Sequence, residues 1–306
     1  MRPGPATTAG NPVELIGLDK SYGSVRAVDH LDLTVFAGEM VALLGPDGSG
    51  KSTVVELLLG LVRADAGSAL IFGLPPGDAV RAGLVGAMLE HGALLDDTTV
   101  EETVQMVASL HRGRIPVHCA LLRAGIVELA RHRVRGLTAG QRQQVHHATA
   151  LVGDPALLVL DEPTAAMGRA GRAEFWSSVR RFCAPDRTVV FTTGNLNETE
   201  LADRVVFLKA GQLLADTTQP QARALAGSRT VRAIIPGAIV PDVAALPAVT
   251  GVDIDSGRVR VQSSDVDTTL RALLSRYPHA RAIEIVRATL DDVLVALVAA
   301  RDDRRS

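Results

Sequence analysis

Cysteine is nearly absent. Only Cys119 and Cys183 occur, far apart and without a CxxC spacing. That gives no support to a thiolate metal site and fits a reduced, cytosolic chain. Each cysteine reads as a small buried apolar residue. Long hydrophobic runs are missing as well. No stretch approaches the ~18–20 apolar residues that cross a bilayer, so if the protein serves a membrane, another chain must span it. The opening MRPGPATTAGNP has one arginine but no apolar h-region, so it does not read as a secretory leader. Residues 1–12 read as a loose tail. A basic excess is lacking too: the formal net charge is −2 and the pI is near 6.5, which argues against a nucleic-acid surface. Lysine is rare, with Lys20, Lys51 and Lys209 the three among 32 basic residues. Together with abundant alanine, this points to a GC-rich genome more than to a function.

What is present is the composition of a folded globular protein, 47% hydrophobic and 22% charged, with length for one large domain and a small one. Short β-like stretches cover residues 13–18 and 31–36, split by a turn at Tyr22 and Gly23. The run MVALL, residues 40–44, has the apolar texture of a buried strand. It ends in a glycine-rich loop, and a helix follows over 52–61. Strands are expected at 69–72 and 83–89. From Thr99 to about Gly136 the periodicity is helical, as in 100–110 and 120–129, which predicts a mostly helical insert. A helix over 141–152, an apolar strand over 156–160, a helix over 172–183, a strand over 188–192, a helix over 198–202 and a strand over 204–208 follow. Apolar strands alternating with helices predict an α/β core on a mainly parallel sheet. Beyond about Gly227 the texture changes. Strands at 230–235, 249–254, 259–262 and 282–286, with helices at 243–246, 266–275 and 290–299, suggest a small ferredoxin-like α+β unit.

Three motifs carry the chemistry. GPDGSGKST fits G-x-x-x-x-G-K-[ST] at every fixed position, after a strand and before a helix. Its residues are Gly45, Pro46, Asp47, Gly48, Ser49, Gly50, Lys51, Ser52 and Thr53. Glycines let backbone N–H groups turn inward around phosphates, Lys51 brings a charge to the β- and γ-phosphates, and the Ser52 hydroxyl can ligate Mg2+. The second motif, LLVLDEP, ends a buried strand in two acids. Asp161 is placed to hold Mg2+ and Glu162 to polarise an attacking water. Between them, LTAGQRQQ puts Thr138, Ala139, Gly140 and Gln141 at a helix start; alone, that is an ordinary capped helix.

In this order and spacing, the three motifs resemble those of ABC transporter ATP-binding subunits, with LTAGQ in the place of the family's LSGGQ signature. The resemblance spans residues 13–214 at motif level. It implies an ABC-type P-loop ATPase domain over 13–226, with a helical insert at about 95–140, and an accessory domain over 229–301. Phrases such as ALVGDPALLVLDEPT and ATLDDVLVALV are similar to the antibiotic-resistance and drug-export, daunorubicin-resistance-like ATPases that pair with separate permeases. The resemblance further implies ATP and Mg2+ as ligands and a homodimer or heterodimer with another ATP-binding subunit. It implies a place on the inner face of the cell membrane through the permease. The family landmarks fall on Tyr22 for adenine stacking and on Glu90 where a glutamine is usual. Gly168 stands where an aspartate is usual and Gly194 where a γ-phosphate-sensing histidine is usual. With Ala139, these departures predict reduced turnover. His146 and His147, on the signature helix, read as solvated or packed.

Two rival classes remain open at this stage. One is a nearly inactive ATP-binding module that clamps or regulates an ABC complex. The other is an ABC-type ATPase acting on DNA or in translation, which lacks support because there are no heptad arms, no CxxC pairs and only one P-loop.

Overall fold

The computed structural model describes residues 10–90, 92–111, 113–222 and 229–287. The chain divides into two compact units. One takes Met1–Gly194 and Leu201–Leu213, the other Asn195–Glu200 and Leu214–Ser306.

In the first unit, β1 (Val13–Tyr22) and β2 (Val25–Val35) form a long antiparallel hairpin, and β3 (Met40–Leu44) is buried at all five residues. The loop after β3 feeds α1 (Lys51–Leu58). β4 (Ala66–Leu70) pairs with β1, giving an antiparallel sheet in the order β2-β1-β4. The short α2 (Pro76–Arg81) leads to β5 (Val85–Met88), and a helical segment follows with α3 (Val100–Ser109), α4 (Val117–Ala124) and α5 (Ala139–Leu151). Then come β6 (Leu157–Leu160), α6 (Arg169–Phe182), β7 (Thr188–Thr193) and β8 (Arg204–Lys209), and β9 (Gln212–Thr218) begins at the end of this unit and runs on past Leu213. The larger sheet runs β5-β6-β7-β3-β8-β9, with the first five strands parallel. Their near-continuous aliphatic sequences suit a sheet buried on both faces. One core gathers Leu15, Leu31 and Val35 of the antiparallel sheet with Val54 and Leu58 of α1 and Val41, Val159 and Val206 of the parallel sheet. A second joins Val100, Val104, Leu121 and Val145 of α3, α4 and α5.

The second unit holds β10 (Arg229–Ile234), α7 (Val240–Ala244), β11 (Val249–Asp255), β12 (Arg258–Ser263), α8 (Val266–Arg276) and β13 (Arg281–Arg287). Its strands run β11-β12-β10-β13, all pairs antiparallel. Val231, Val259 and Val261 pack with Val243 and Leu273 of the helices.

Several expectations need correction. The helix expected over 120–129 stops at Ala124, because Gly125 adopts φ 73 and caps it in the left-handed region; residues 127–129 form a separate 3-10 turn. The segment expected to be helical at 198–202 is likewise a 3-10 turn, Leu196–Leu201. Of the tail expected at 1–12, residues 1–9 lie outside the described residues, and Asn11 is tied down, its carbonyl accepting from Phe72 N–H at 3.0 Å. Cys119 and Cys183 are free and half-buried rather than fully buried. The helix expected at 290–299 lies outside the described residues. Among the described residues no helix is long and apolar enough to cross a membrane.

Candidate functional site

The loop between β3 and α1 is shaped by glycine. Gly50 has φ 101, and a Cβ there would run into the Ala27 carbonyl; a Cβ on Gly45 would meet the Leu208 carbonyl and Ser49 Oγ. Side chains are therefore excluded where the backbone must curl. Lys51, 6% exposed, opens α1 and turns back over the loop. Its ammonium donates to Gly45 O at 2.8 Å and Pro46 O at 3.2 Å and lies 3.4 Å from Glu162 Oε1. Ser49 Oγ is buried without a hydrogen-bond partner. An orphaned donor, a buried ammonium and an uncapped helix N-terminus within one loop fit an anionic ligand.

Facing this loop, Asp161 and Glu162 follow the buried strand β6. Asp161 N–H donates to Met88 O at 2.8 Å, which fixes the strand end against β5. Ser52 Oγ donates to Asp161 Oδ1 at 3.4 Å. Thr192, at the end of neighbouring β7, donates its hydroxyl proton to the same Oδ1 at 2.6 Å and accepts from Glu162 N–H at 2.9 Å. Glu162 has φ 43, a left-handed conformation that a non-glycine residue adopts only under constraint. Burial pushes its carboxyl above the usual range; the Lys51 ammonium and a hydrogen bond from Gly194 N–H pull it part of the way back.

The expected metal ligands, Ser52 and Asp161, thus stand together. Among the described residues no group of three His, Cys, Asp or Glu could hold a metal ion. A hydroxyl and one carboxylate suit Mg2+, which takes the rest of its oxygens from phosphate and water.

The other expected positions are spread around this centre. Tyr22 ends β1, is 46% exposed, and donates its hydroxyl to Glu56 Oε2 of α1 at 3.1 Å. Its ring thus stands beside the helix that the loop opens, with the Lys20 ammonium 5.4 Å from the ring centroid. Glu90 is exposed two residues past β5. Next to it, Gly92 is hydrogen-bonded through its backbone to the His146 ring, whose burial lowers its pKa. Thr138 caps α5: its side chain accepts from Gln141 N–H while Gln141 Oε1 accepts from Thr138 N–H. Ala139 and Gly140 form the first helical turn, and a Cβ on Gly140 would lie 3.6 Å from Ala166 O, so this turn packs beside the segment leading to Gly168. Gly168 starts α6 without a side-chain cap. At Gly194 an added Cβ would come no closer than 3.8 Å to Gly45 O and 3.9 Å to Glu162 Oε1. His147 is wholly buried. Its Nε2 pairs with Ser178 Oγ at 3.1 Å, its ring lies 4.8 Å from that of Phe175, and burial lowers its pKa to about 3.

Sequence reasoning gave no role to Thr192 or Glu56, nor to the free hydroxyl of Ser49. The first two act through contacts between distant segments, which no local motif records. Ser49 was read only as one position of the loop.

Comparison with known proteins bears on this arrangement. A family profile described as ABC transporter matches residues 28–165. The daunorubicin resistance ATP-binding protein DrrA3 of Streptomyces coeruleorubidus is 33% identical, over 97% of this chain and 98% of its own. The daunorubicin/doxorubicin resistance ATP-binding protein DrrA of Streptomyces peucetius is 31% identical, over 96% and 94%. The sulfate/thiosulfate import ATP-binding protein CysA of Bordetella bronchiseptica is 38% identical but covers 66% of this chain. Among solved structures, the dimeric bacterial ABC transporter cassette MJ0796 overlays with a TM-score of 0.63 at 24% identity, over 68% of this chain and 98% of that one.

Proposed function

The chain belongs to the ABC transporter family as an ATP-binding, ATP-hydrolysing subunit, and from that premise we propose that it powers export of a drug-like or antibiotic small molecule through a separate membrane permease. One observation carries the choice of export. The resemblance to the daunorubicin resistance proteins runs over nearly the whole chain, second unit included.

In this reading residues 45–53 cradle the phosphates of ATP, Lys51 meets the β- and γ-phosphates, and Tyr22 stacks on the base. Ser52 and Asp161 hold Mg2+, which when bound offsets the charge on the phosphate oxygens. Glu162 orients the attacking water and takes its proton. Thr138, Ala139, Gly140 and Gln141 cover the γ-phosphate bound by a second ATP-binding subunit, identical or not, in a head-to-tail dimer. Closure around ATP and reopening after hydrolysis pass to the permease through Glu90 and the helical segment 95–140. The permease holds the chain on the inner face of the membrane. Residues 13–226 serve as the ATP-binding domain and 229–301 as a ferredoxin-like accessory domain. The antiparallel order β11-β12-β10-β13 supports the latter.

The test is anthracycline accumulation in cells expressing this chain with its cognate permease. Export predicts lower accumulation than with the permease alone, and loss of that difference in Lys51→Ala. Equal accumulation would refute an anthracycline as the cargo, and uptake would refute export.

A further inference from the structure

We infer that Thr192 is a positioning residue of the nucleotide site, whose single hydroxyl fixes the metal-facing oxygen of Asp161 and the backbone twist that aims Glu162. This rests on reading residues 45–53, 161 and 162 as that site.

The hydroxyl has one proton, and it is committed to Asp161 Oδ1 at 2.6 Å. What remains on the oxygen is acceptor capacity, filled by Glu162 N–H at 2.9 Å. The pair of bonds therefore has one polarity and cannot invert, because an N–H cannot accept and an ionised carboxylate cannot donate. Thr192 is fully buried, so no water competes for either bond.

Both partners matter to the site. Asp161 Oδ1 is also the oxygen that Ser52 Oγ reaches at 3.4 Å. The carboxylate face turned to the phosphate loop is thus the one Thr192 anchors. Glu162 N–H donates to the Thr192 hydroxyl at the point where the backbone enters its left-handed turn, φ 43. The same conformation brings the Glu162 carboxylate to 3.4 Å from Lys51 Nζ. Two residues further on, Gly194 N–H holds the carboxylate itself. The end of β7 is therefore a template for both acids: Thr192 holds one by its side chain and the other by its backbone. Loss of the hydroxyl would free Asp161 to rotate and Glu162 to relax, while the bonds from Lys51 to Gly45 O and Pro46 O, which shape the loop, do not depend on it.

The test compares Thr192→Val, Thr192→Ala and Thr192→Ser in the full chain. Val matches the shape without the hydroxyl, Ala adds no bulk should Val fail to fold, and Ser keeps the hydroxyl. Calorimetry measures ATP affinity with Mg2+ and with chelator, and steady-state assays give kcat and KM. Val and Ala should bind metal-free ATP as the wild type does. They should lose about 10–100-fold of the Mg2+-dependent gain in affinity and a similar factor in kcat at little change in KM. Ser should restore both. Val and Ala with wild-type Mg2+ dependence and kcat would overturn the inference. So would equal losses with and without Mg2+, the mark of a merely structural role. Lys51→Ala is the control on the site itself: if it leaves ATP affinity unchanged, the nucleotide-site reading fails first.

Discussion

Replacing Gly194 by histidine should raise ATP turnover by at least about tenfold, towards the 10²–10³ that one preorganised transition-state donor contributes. Gly194 offers only its backbone N–H, and that is already given to the Glu162 carboxylate. No side-chain donor therefore reaches the γ-phosphate from this position. The substitution is sterically open. A Cβ would meet nothing nearer than Gly45 O at 3.8 Å and Glu162 Oε1 at 3.9 Å, ordinary van der Waals distances. Gly194 is not among the residues with positive φ, so a side chain brings no backbone strain. Loss of glycine's freedom in the unfolded chain adds about 0.4–1 kcal/mol of stability. A change in rate can then be read as chemistry rather than as altered folding. The assay is phosphate release at saturating ATP and Mg2+, with ATP affinity measured alongside and expected to be unchanged. A wild-type rate of several turnovers per second, by the order of magnitude usual for enzymes, with no gain from histidine would refute the reasoning. It would mean that the site works without the missing donor.

Two further outcomes follow from the geometry. His147 has a pKa of about 3 folded against 6.5 ordinarily, so between those values the unfolded chain holds a proton that the folded chain does not. Its contribution is complete above the unfolded value and falls as pH drops, by up to about 1.4 kcal/mol per unit. On going from pH 7 to pH 5 the wild type should therefore lose roughly 2 kcal/mol more unfolding free energy than His147→Gln, read by guanidinium unfolding at each pH, and equal pH slopes would contradict this. Tyr22→Ala should weaken ATP and GTP alike, by about 1–3 kcal/mol if the ring stacks on the base. Tyr22→Phe, which keeps the ring and loses the hydroxyl's bonds to Glu56 and Thr53, should bind both far more nearly as the wild type does than Tyr22→Ala; unchanged affinities in Tyr22→Ala would make the ring a turn residue.

Much of this was legible in the sequence because the signals were local. β3 falls at Met40–Leu44 as its five apolar residues predict, and the glycine loop and α1 follow from one motif. Signals failed where local pattern and conformation part. Gly125 sits inside an apolar helical periodicity yet ends α4 by adopting φ 73. β9 went unseen because QLLADTT is half-exposed along its length and shows no clean alternation. Helix α2, PGDAVR, begins in residues that read as a turn. In the site, Asp161 and Glu162 were visible as a motif, but the group joining them was not. Thr192 lies 30 residues beyond Glu162, and only the parallel pairing of β6 with β7 brings it there.

The central claim is that residues 45–53 bind the phosphates of ATP through Lys51. Its most direct measure is calorimetric titration of ATP with Mg2+ into the wild type and into Lys51→Ala. Loss of a buried ammonium from the phosphates should weaken binding by about 10–100-fold. An affinity unchanged by the substitution would contradict the account.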